Sequence, residues 1–353
     1  MKYNNILITG GAGFIGSNLA ISFKRKYPKL KVYVLDNLKR RGAELNLPRL
    51  KENDVNFIHA DIRNPEDLLF DFDVELMIEC SAEPSVMAGL DNPRYIINTN
   101  LTGTVNCLEL CRKHKADIIF LSTSRVYPYK AINKIKTIET DTRFEWLPAQ
   151  DIFGWTVDGI NESFTIQGPK TLYGATKLSS ELLLEEYIAN YGIKGVINRC
   201  GVIAGPWQFG KVDQGVFTYW MLAHYFKKSL KYIGFGGEGK QVRDLLHIDD
   251  LFNLIDIEAS QLSKINGRIY NLGGGKEVSL SLYETTKLCQ QITGNKIKVA
   301  SDLNTRPGDI SIYLSDSSKA TAELSWQPKK TAKSVLSNIF TWVSNNEMEL
   351  KKI

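Results

Sequence analysis

The sequence has few cysteines and histidines and no long apolar run. Its 353 residues include five cysteines and four histidines, and no two cysteines form a C-x-x-C pair. Cys107 and Cys111 lie one helical turn apart, but no second pair completes a metal site, so we expect buried core thiols and no bound metal. The odd cysteine count and the lack of a signal-peptide pattern favour a reducing cytoplasm. No apolar run approaches the roughly 20 residues of a membrane span, so we expect no membrane partner.

A strong charge of one sign is also missing. The 44 lysine and arginine residues exceed the 39 aspartate and glutamate residues by only five, which suits a phosphorylated small molecule and does not favour nucleic acid. The densest basic runs, residues 24–26 and 39–41, lie beside apolar stretches and are interpreted as solvated surface. With 43% hydrophobic residues, the chain is not largely disordered.

Short β-rich runs alternate with helical patterns in the first 200 residues. Buried strands are predicted at residues 5–9, 31–35, 55–60, 74–80, 117–122 and 196–199, with a later one at 268–272. Helical spacing is present at residues 17–26, 100–114 and 173–191. This alternation predicts an α/β fold, a doubly wound parallel sheet with helices on both faces. Residues 142–170 have no clear period and are interpreted as one long loop over a site.

A glycine-rich turn follows the first predicted strand. Gly10, Gly13 and Gly16 form a G-x-x-G-x-x-G pattern that includes Phe14 and Ile15 and opens the first helix. Glycines here permit a tight turn and let the backbone approach a pyrophosphate, whose charge the helix N-terminus attracts. The pattern alone also fits a plain structural turn. Its position between a strand and a helix favours a dinucleotide site.

Two acidic positions predict which dinucleotide binds. Asp36 ends the second strand, where a carboxylate can accept hydrogen bonds from both adenosine ribose hydroxyls and repel a 2′-phosphate. This favours NAD over NADP, although the basic residues 39–41 lie close enough to hold that phosphate. Asp61 and Ile62 follow the third strand and are expected beside the adenine, with a helix cap before Pro65 as the alternative for Asp61.

The catalytic candidates are a tyrosine and a lysine four residues apart. Tyr173 and Lys177 would share one face of a helix, where the ammonium can stabilise a phenolate. A free phenol has a pKa of about 10 and is a poor base without such help. Thr123 closes the fifth strand at the crevice edge and can bridge Tyr173 and a sugar hydroxyl, with a hydroxyl that satisfies a turn as the alternative.

These motifs, in this order, resemble the extended short-chain dehydrogenase/reductase superfamily of nucleotide-sugar epimerases and dehydratases over nearly the whole chain. Asn100 begins a segment similar to the superfamily's N-x-x-G-T-x-N motif, and Arg243 and Arg306 lie in segments similar to its diphosphate-binding ones. The resemblance implies a Rossmann fold and a homo-oligomer that takes a nucleotide sugar. It also implies further NAD contacts from Asn37, Ser81, Asn100, Tyr173 and Lys177. Substrate contacts are implied for Thr123, Arg199, Gln208, Arg243 and Arg306.

We expect two domains from the change in pattern at residue 201. Residues 1–200, with 244–275 returning to them, would form the NAD-binding Rossmann domain. Residues 201–243 and 276–353 would form a smaller C-terminal α/β domain that binds the nucleotide sugar. Their short helices and many aromatic residues are typical of such a substrate domain.

Within the superfamily, the chain resembles in particular the CDP-paratose 2-epimerases, also called CDP-tyvelose epimerases. Residues 36–38, 41–43, 208–215 and 279–282 and the insertion before Tyr173 carry this resemblance. It implies NAD-dependent inversion at C2 of a CDP-linked dideoxyhexose used in lipopolysaccharide or O-antigen. Glu79, Pro128 and residues 200–202 depart from the general superfamily pattern.

Three alternatives stay open. The first is a 4-epimerase, for example of a UDP-sugar. The second is a 4,6-dehydratase, which is less favoured because Ser124 and Arg125 replace the usual acidic pair after Thr123. The third is a non-catalytic NAD-binding protein of the same fold.

Overall fold

The computed structural model of the chain describes residues 1–210 and 214–351. Its strands are β1 (Asn5–Thr9), β2 (Lys31–Asp36), β3 (Asn56–His59), β4 (Leu76–Glu79), β5 (Asp117–Thr123), β6 (Thr137–Glu139), β7 (Phe144–Trp146), β8 (Trp155–Thr156), β9 (Gly159–Ile160), β10 (Gly195–Cys200), β11 (Val202–Ala204), β12 (Leu230–Ile233), β13 (Val242–His247), β14 (Arg268–Leu272), β15 (Ser279–Ser281), β16 (Val299–Asp302) and β17 (Ile312–Tyr313).

The helices connect and cover these strands. They are α1 (Phe14–Lys26), α2 (Leu47–Glu52), α3 (Val86–Asp91), α4 (Pro93–Ile97), α5 (Gly103–His114), α6 (Tyr129–Ile132), α7 (Leu172–Tyr191), α8 (Val216–Tyr225), α9 (Ile248–Gln261), α10 (Leu282–Thr293), α11 (Ser318–Leu324), α12 (Ala332–Asn345) and α13 (Glu347–Leu350). Short 3₁₀ turns occur at Ala43–Asn46, Pro65–Leu68, Ser124–Val126 and Phe235–Gly237, and a π-helical turn at Asn98–Thr102. None of the helices in the described part of the chain is long and apolar enough to cross a membrane.

Seven parallel strands form the central sheet, in the order β3-β2-β1-β4-β5-β10-β14. Each predicted strand is present in this sheet, with its ends within two residues of the prediction. Helices cover both faces, so β4 and β10 are buried along their whole length. These observations confirm the doubly wound α/β fold. The strand order reverses between β1 and β4, and a crevice at the carboxyl ends of the strands is expected at such a point.

A smaller α/β layer lies beside the central sheet. β13 pairs with β11, β15 and β17, and β12 pairs with β16. Helices α8, α10 and α12 pack with these strands around a separate core that includes Trp220, Met221 and Trp342. β14 returns to the edge of the central sheet beside β10. The expected domain boundaries themselves stay a prediction.

Residues 142–170 are only partly the single loop that we predicted. β7 pairs with β6, and β8 pairs with β9, so the segment contains parts of two short hairpins. Trp146 and Trp155 are buried and meet edge to face, with ring centroids 5.8 Å apart. Strands of two or three residues are too short to produce a visible period in the sequence, so the packing of these tryptophans determines the conformation.

Candidate active site

The glycine-rich turn forms a tight cradle between β1 and α1. Gly10 has φ of +63°, and a Cβ added there would lie 2.9 Å from the carbonyl oxygen of Cys80. A Cβ on Gly16 would lie 2.4 Å from the carbonyl oxygen of Gly10, so only glycine lets α1 pack this closely on the turn. The Gly13 N–H donates to the Gly10 carbonyl over 3.0 Å. This cradle fits a pyrophosphate at a helix N-terminus.

A cavity of about 590 Å³ adjoins this cradle. Seven of the predicted cofactor-binding residues line it: Gly10, Gly13, Asp36, Asn37, Asp61, Ile62 and Ser81. Asp36 accepts hydrogen bonds from the backbone N–H groups of Ala12 (3.1 Å) and Leu38 (2.8 Å). Burial raises the pKa of Asp36, which these two hydrogen bonds oppose. Phe14 and Ile15 begin α1 and pack partly against the core.

A salt bridge and a hydrogen bond within its own turn fix the side chain of Asp61. Arg63 and Asp61 form a salt bridge, and Asn37 donates to Asp61 over 2.9 Å. The pKa of Asp61 falls to about 2, chiefly because of its hydrogen bonds with Arg63. Asp61 also accepts from the backbone N–H of Arg63, which closes a side-chain turn. Ile62 packs on Gly103, where an added Cβ would lie 2.5 Å from the isoleucine side chain.

The basic run 39–41 is exposed, as we interpreted it, and it also lines this cavity. The Lys39 ammonium lies 3.7 Å from the centroid of the Tyr95 ring. Arg40 donates to the carbonyl oxygen of Phe209 over 3.0 Å and also to Gln214. Neither the secondary-structure propensity nor the charge of residues 39–41 indicates that these side chains line a cavity.

Asn100 supports the cavity wall from the π-helical turn. Its side chain accepts from the N–H of Glu83 over 2.8 Å and donates to the carbonyl of the same residue over 3.1 Å. Asn100 is buried, whereas Glu83 lines the cavity. The structure therefore places Asn100 behind the wall, where it fixes the loop after β4.

Tyr173 and Thr123 meet where α7 begins and β5 ends. The Thr123 hydroxyl accepts from the Arg125 N–H over 3.2 Å. Burial raises the pKa of Tyr173 to about 12, and the hydrogen bond from Thr123 opposes this rise. Arg125 further lowers this pKa and Glu83 raises it. Charged groups of both cavities thus act on the phenol.

Lys177 lies one turn further along α7, as predicted from its spacing. Its side chain is buried, and its Nζ is 4.0 Å from the centroid of the Phe120 ring. Burial lowers the pKa of Lys177, while Glu79 and Glu181 oppose this shift. The catalytic candidates Thr123, Tyr173 and Lys177 are therefore held on two adjacent elements, β5 and α7.

A second cavity, of about 730 Å³, lies beside α8 and the smaller layer. Arg125, Arg243 and Arg306 all line it. Arg243 forms a salt bridge with Asp309 at 2.9 Å. Burial lowers the pKa of Arg243 to about 10, so the guanidinium still carries its charge at neutral pH. Three cations around one cavity suit a diphosphate.

Arg125, Glu83 and Gln214 were not among the predicted site residues. Arg125 follows the strand-end threonine by two residues, and Glu83 lies four residues beyond the end of β4. In a doubly wound sheet, side chains just beyond strand ends face the crevice, so this position was an available signal. Gln214 donates to Glu83 over 2.9 Å and lines the second cavity, a contact with no signal in the sequence.

Two predicted substrate contacts are engaged within the protein instead. Arg199 forms a buried salt bridge with Glu181 at 2.7 Å and donates to the Tyr127 hydroxyl over 3.1 Å. Gln208 donates to the carbonyl of Ile203 and accepts from Thr218, over 2.9 Å and 2.7 Å. These contacts do not favour the roles that the resemblance implied. Residues 211–213, which carried part of the resemblance to the 2-epimerases, lie outside the described residues.

Known proteins with similar sequences and structures act on nucleotide sugars. The CDP-paratose 2-epimerase of Salmonella typhi is 32% identical over 348 residues, which cover 96% of this chain and 99% of that protein. The structure of a UDP-glucuronic acid 4-epimerase from Bacillus cereus, in complex with UDP-glucuronic acid and NAD, matches with a TM-score of 0.78 and 25% identity, over 97% and 99% of the two chains. A UDP-glucose 4-epimerase of Thermus thermophilus in complex with NAD matches with a TM-score of 0.75 and 25% identity, over 96% and 99%.

The doubly wound sheet, the glycine cradle and the tyrosine and lysine on α7 define a dinucleotide-dependent enzyme of the short-chain dehydrogenase/reductase type. The sequence model of the NAD dependent epimerase/dehydratase family matches residues 6–273, and the chain belongs to this family. It is therefore an enzyme that uses NAD.

Proposed function

We propose that the chain is a nucleotide-sugar 2-epimerase that converts CDP-paratose to CDP-tyvelose by inverting C2 through a 2-keto sugar. Similarity to the Salmonella typhi enzyme along nearly the whole of both chains supports the substrate. The observation that carries the proposal is the placement of Tyr173 at the start of α7, which packs against the chain just after Thr123 at the end of β5, with Lys177 one turn further along the same helix.

Oxidation at C2 is the route that the chemistry of the substrate favours. Removing a proton from C2 needs an adjacent carbonyl group, and a nucleotide-linked pyranose has none there. The nucleotide on C1 also locks the ring, so no aldehyde can form. The cradle of Gly10, Gly13 and Gly16 would hold NAD, which would supply reversible oxidation at carbon.

Tyr173 is the proposed base for the sugar 2-hydroxyl. Its raised pKa makes the phenolate scarce at neutral pH in the protein alone, so positive charge near the phenol is needed. Thr123 stabilises the phenolate by donating a hydrogen bond, and Lys177 contributes positive charge from the same helix. During return of the hydrogen, the phenol protonates the 2-oxygen again.

The arginines of the second cavity are proposed to hold the diphosphate as a pivot. Inversion requires the 2-keto sugar to turn so that its other face receives the hydrogen. Arg243 and Arg306 line a common wall with Arg125, and each guanidinium can bind phosphate oxygens in a bidentate manner. Anchoring at the diphosphate leaves the sugar ring free to rotate near Tyr173.

Isotope retention tests this reaction. With CDP-paratose deuterated at C2, we expect the epimerised product to retain the label at C2. In heavy water with ordinary substrate, C2 should stay unlabelled. Tyr173→Phe is the matched control, because it removes one oxygen and should bind the cofactor normally while turnover falls by roughly 10²–10⁴. Solvent deuterium at C2 would overturn the mechanism.

Inversion at another carbon would change the substrate assignment while keeping the oxidative chemistry. CDP-, UDP- and GDP-sugars should first be compared by thermal shift at equal concentration, because a ligand that binds the native state raises Tm more the more tightly it binds. We expect the largest shift with a CDP-sugar. Turnover of a UDP-sugar at C4 with none of CDP-paratose would replace the 2-epimerase by a 4-epimerase.

A further inference from the structure

Glu79 is a fully buried carboxyl group at the carboxyl end of β4. The Thr104 hydroxyl on α5 donates to its Oε1 over 2.6 Å. Its Oε2 is buried and has no hydrogen-bond partner among the described residues. A buried carboxylate in this state is unfavourable unless a positive charge lies near it.

Lys177 is the cation that acts on this carboxyl group. Phe120 on β5 is the register partner of Glu79, and the Lys177 ammonium lies 4.0 Å from the Phe120 ring. Both groups are thus placed over the same pair of strands, and each opposes the effect of burial on the other's pKa.

The other groups around this pair are weaker partners. Glu181, on the same helix as Lys177, already forms a salt bridge with Arg199 at 2.7 Å. The thiols of Cys80, Cys107 and Cys200 also lie in this region, and burial raises their pKa values, so they are neutral. Of the two carboxyl groups that act on Lys177, Glu79 is therefore the one without a salt bridge to another cation in the described part of the chain.

We propose that Glu79 is a positioning residue of the reaction, whose carboxylate, fixed by Thr104, keeps Lys177 charged and in place behind Tyr173. This inference rests on the proposed function, in which the ammonium stabilises the Tyr173 phenolate. Glu79 lines neither cavity. Its effect on the reaction would therefore pass mainly through Lys177.

The pH dependence of kcat tests the proposal. Activity needs the phenolate and the ammonium, so kcat should rise and then fall as pH increases. In Glu79→Gln, Lys177 loses its proton at lower pH, and the alkaline fall should move down by about one pH unit or more. KM for the sugar should stay within about twofold of wild type.

Two variants accompany this measurement. Glu258→Gln is the matched control, because Glu258 is as buried as Glu79 but accepts a hydrogen bond from Asn198. The alkaline limb of the kcat profile should not move in this variant. Thr104→Val removes the hydrogen bond to Glu79. It should move the alkaline limb to lower pH, by less than Glu79→Gln does. An unshifted alkaline limb in both Glu79→Gln and Thr104→Val would overturn the proposal.

A measurement without turnover separates this inference from the proposed function. Lys177→Met should lower Tm, because it leaves the Glu79 carboxylate buried without a counter-charge. Adding Glu79→Gln to Lys177→Met should then raise Tm, whereas Glu258→Gln should have the same effect in both backgrounds. If the Tm changes of Glu79→Gln and Lys177→Met simply add in the double variant, the proposed coupling between the two residues is overturned. If coupling is found but no nucleotide sugar reacts, the proposed function alone fails.

Discussion

Tyr173 is subject to two charges of opposite sign. Arg125 and the hydroxyl of Thr123 lower the pKa of the phenol, while Glu83 raises it. Burial is the largest influence and raises the pKa to about 12. The phenol is therefore adjusted by individual neighbours, and substitution of each neighbour should move the pH dependence of the reaction in a direction that can be stated beforehand.

Thr123→Val and Glu83→Gln should shift the pH profile in opposite directions. Loss of the donor at Thr123 destabilises the phenolate, so the acid limb of kcat should move to higher pH. Loss of the negative charge at Glu83 stabilises the phenolate, so the limb should move to lower pH, while the new amide oxygen would still accept from Gln214. Both shifts are measured as kcat against pH across roughly pH 5–10, with the unsubstituted enzyme as the reference. Shifts of equal sign would contradict the assignment of Tyr173 as the base.

Asp36 is expected to determine the choice between NAD and NADP. Its carboxylate is held by two backbone N–H groups in the cofactor cavity and would repel a 2′-phosphate. We expect NAD to bind at least about tenfold more tightly than NADP. In Asp36→Asn the side chain keeps an oxygen that accepts hydrogen bonds but loses its negative charge, so the difference in affinity between NAD and NADP should become smaller.

Asp61→Asn is the control for this titration, since Arg63 already neutralises that carboxylate. Calorimetric titration of both nucleotides against each variant gives the ratios. Equal or tighter binding of NADP by the unsubstituted protein would mean that residues 39–41 outweigh Asp36.

At the scale of elements, the sequence predicted the strands well and the helix ends less well. The strands have buried, β-branched runs bounded by polar residues, so β1 and β14 match the prediction in every residue. α1 begins at Phe14 instead of residue 17, because Gly16 lowers helix propensity in a turn that α1 nonetheless includes. The π-helical turn at Asn98–Thr102 was missed because its period differs from that of an α-helix.

The site was predictable where it depends on local spacing and not where it depends on partners far along the chain. The glycine cradle and the pair on α7 are sequence-local and were found. The substrate contact from Arg199 stays a prediction, but nothing in the sequence reveals that this side chain forms a salt bridge with Glu181 on the adjacent helix. Glu83 and Gln214, which meet across 131 residues of sequence, were missed for the same reason.

The π-helical turn gives a prediction about cofactor binding. Asn100→Ala would leave the N–H and carbonyl groups of Glu83 without their partners, at a cost of about 1–3 kcal/mol for each group that stays buried. The loop after β4 would lose its fixed position, so we expect the Kd for NAD to rise by roughly tenfold or more.

Asn106→Ala is a suitable comparison, because Asn106 donates to the carbonyl of Ile62 at another part of the cavity wall. Fluorescence titration with NAD and thermal unfolding of the NAD-free proteins separate affinity from stability. Unchanged affinity in Asn100→Ala would show that the loop is held by other contacts.

At the scale of the whole molecule, the two cavities are joined through shared walls. Tyr219 on α8 lines both of them. Gln214 from the second cavity binds Glu83 of the first, and Arg40 from the cofactor cavity also donates to Gln214. The large sheet carries the glycine cradle and Arg125, the smaller layer carries Arg243, and we expect the reacting carbon where the two meet.

The fold also contains buried carboxyl groups that oppose its stability as pH rises. Glu258 on α9 is fully buried, and its Oε1 has no partner among the described residues. Burial raises its pKa to about 8. An unfolded glutamate ionises at a lower pH, so the unfolded chain loses this proton first. Stability should therefore fall between the unfolded pKa, about 4.3, and about pH 8.

Glu258→Gln removes this dependence while it keeps the size of the side chain and an acceptor for Asn198. We expect the variant to be more stable than the unsubstituted protein at about pH 8, with a difference that shrinks toward about pH 5, because each pH unit changes the unfolding equilibrium constant by up to about tenfold in this window. Tm measured across that range for both proteins checks the sign. Parallel curves, or a variant that loses stability relative to the parent as pH rises, would mean that Glu258 is ionised in the native protein and that its charge is stabilised by groups beyond Asn198.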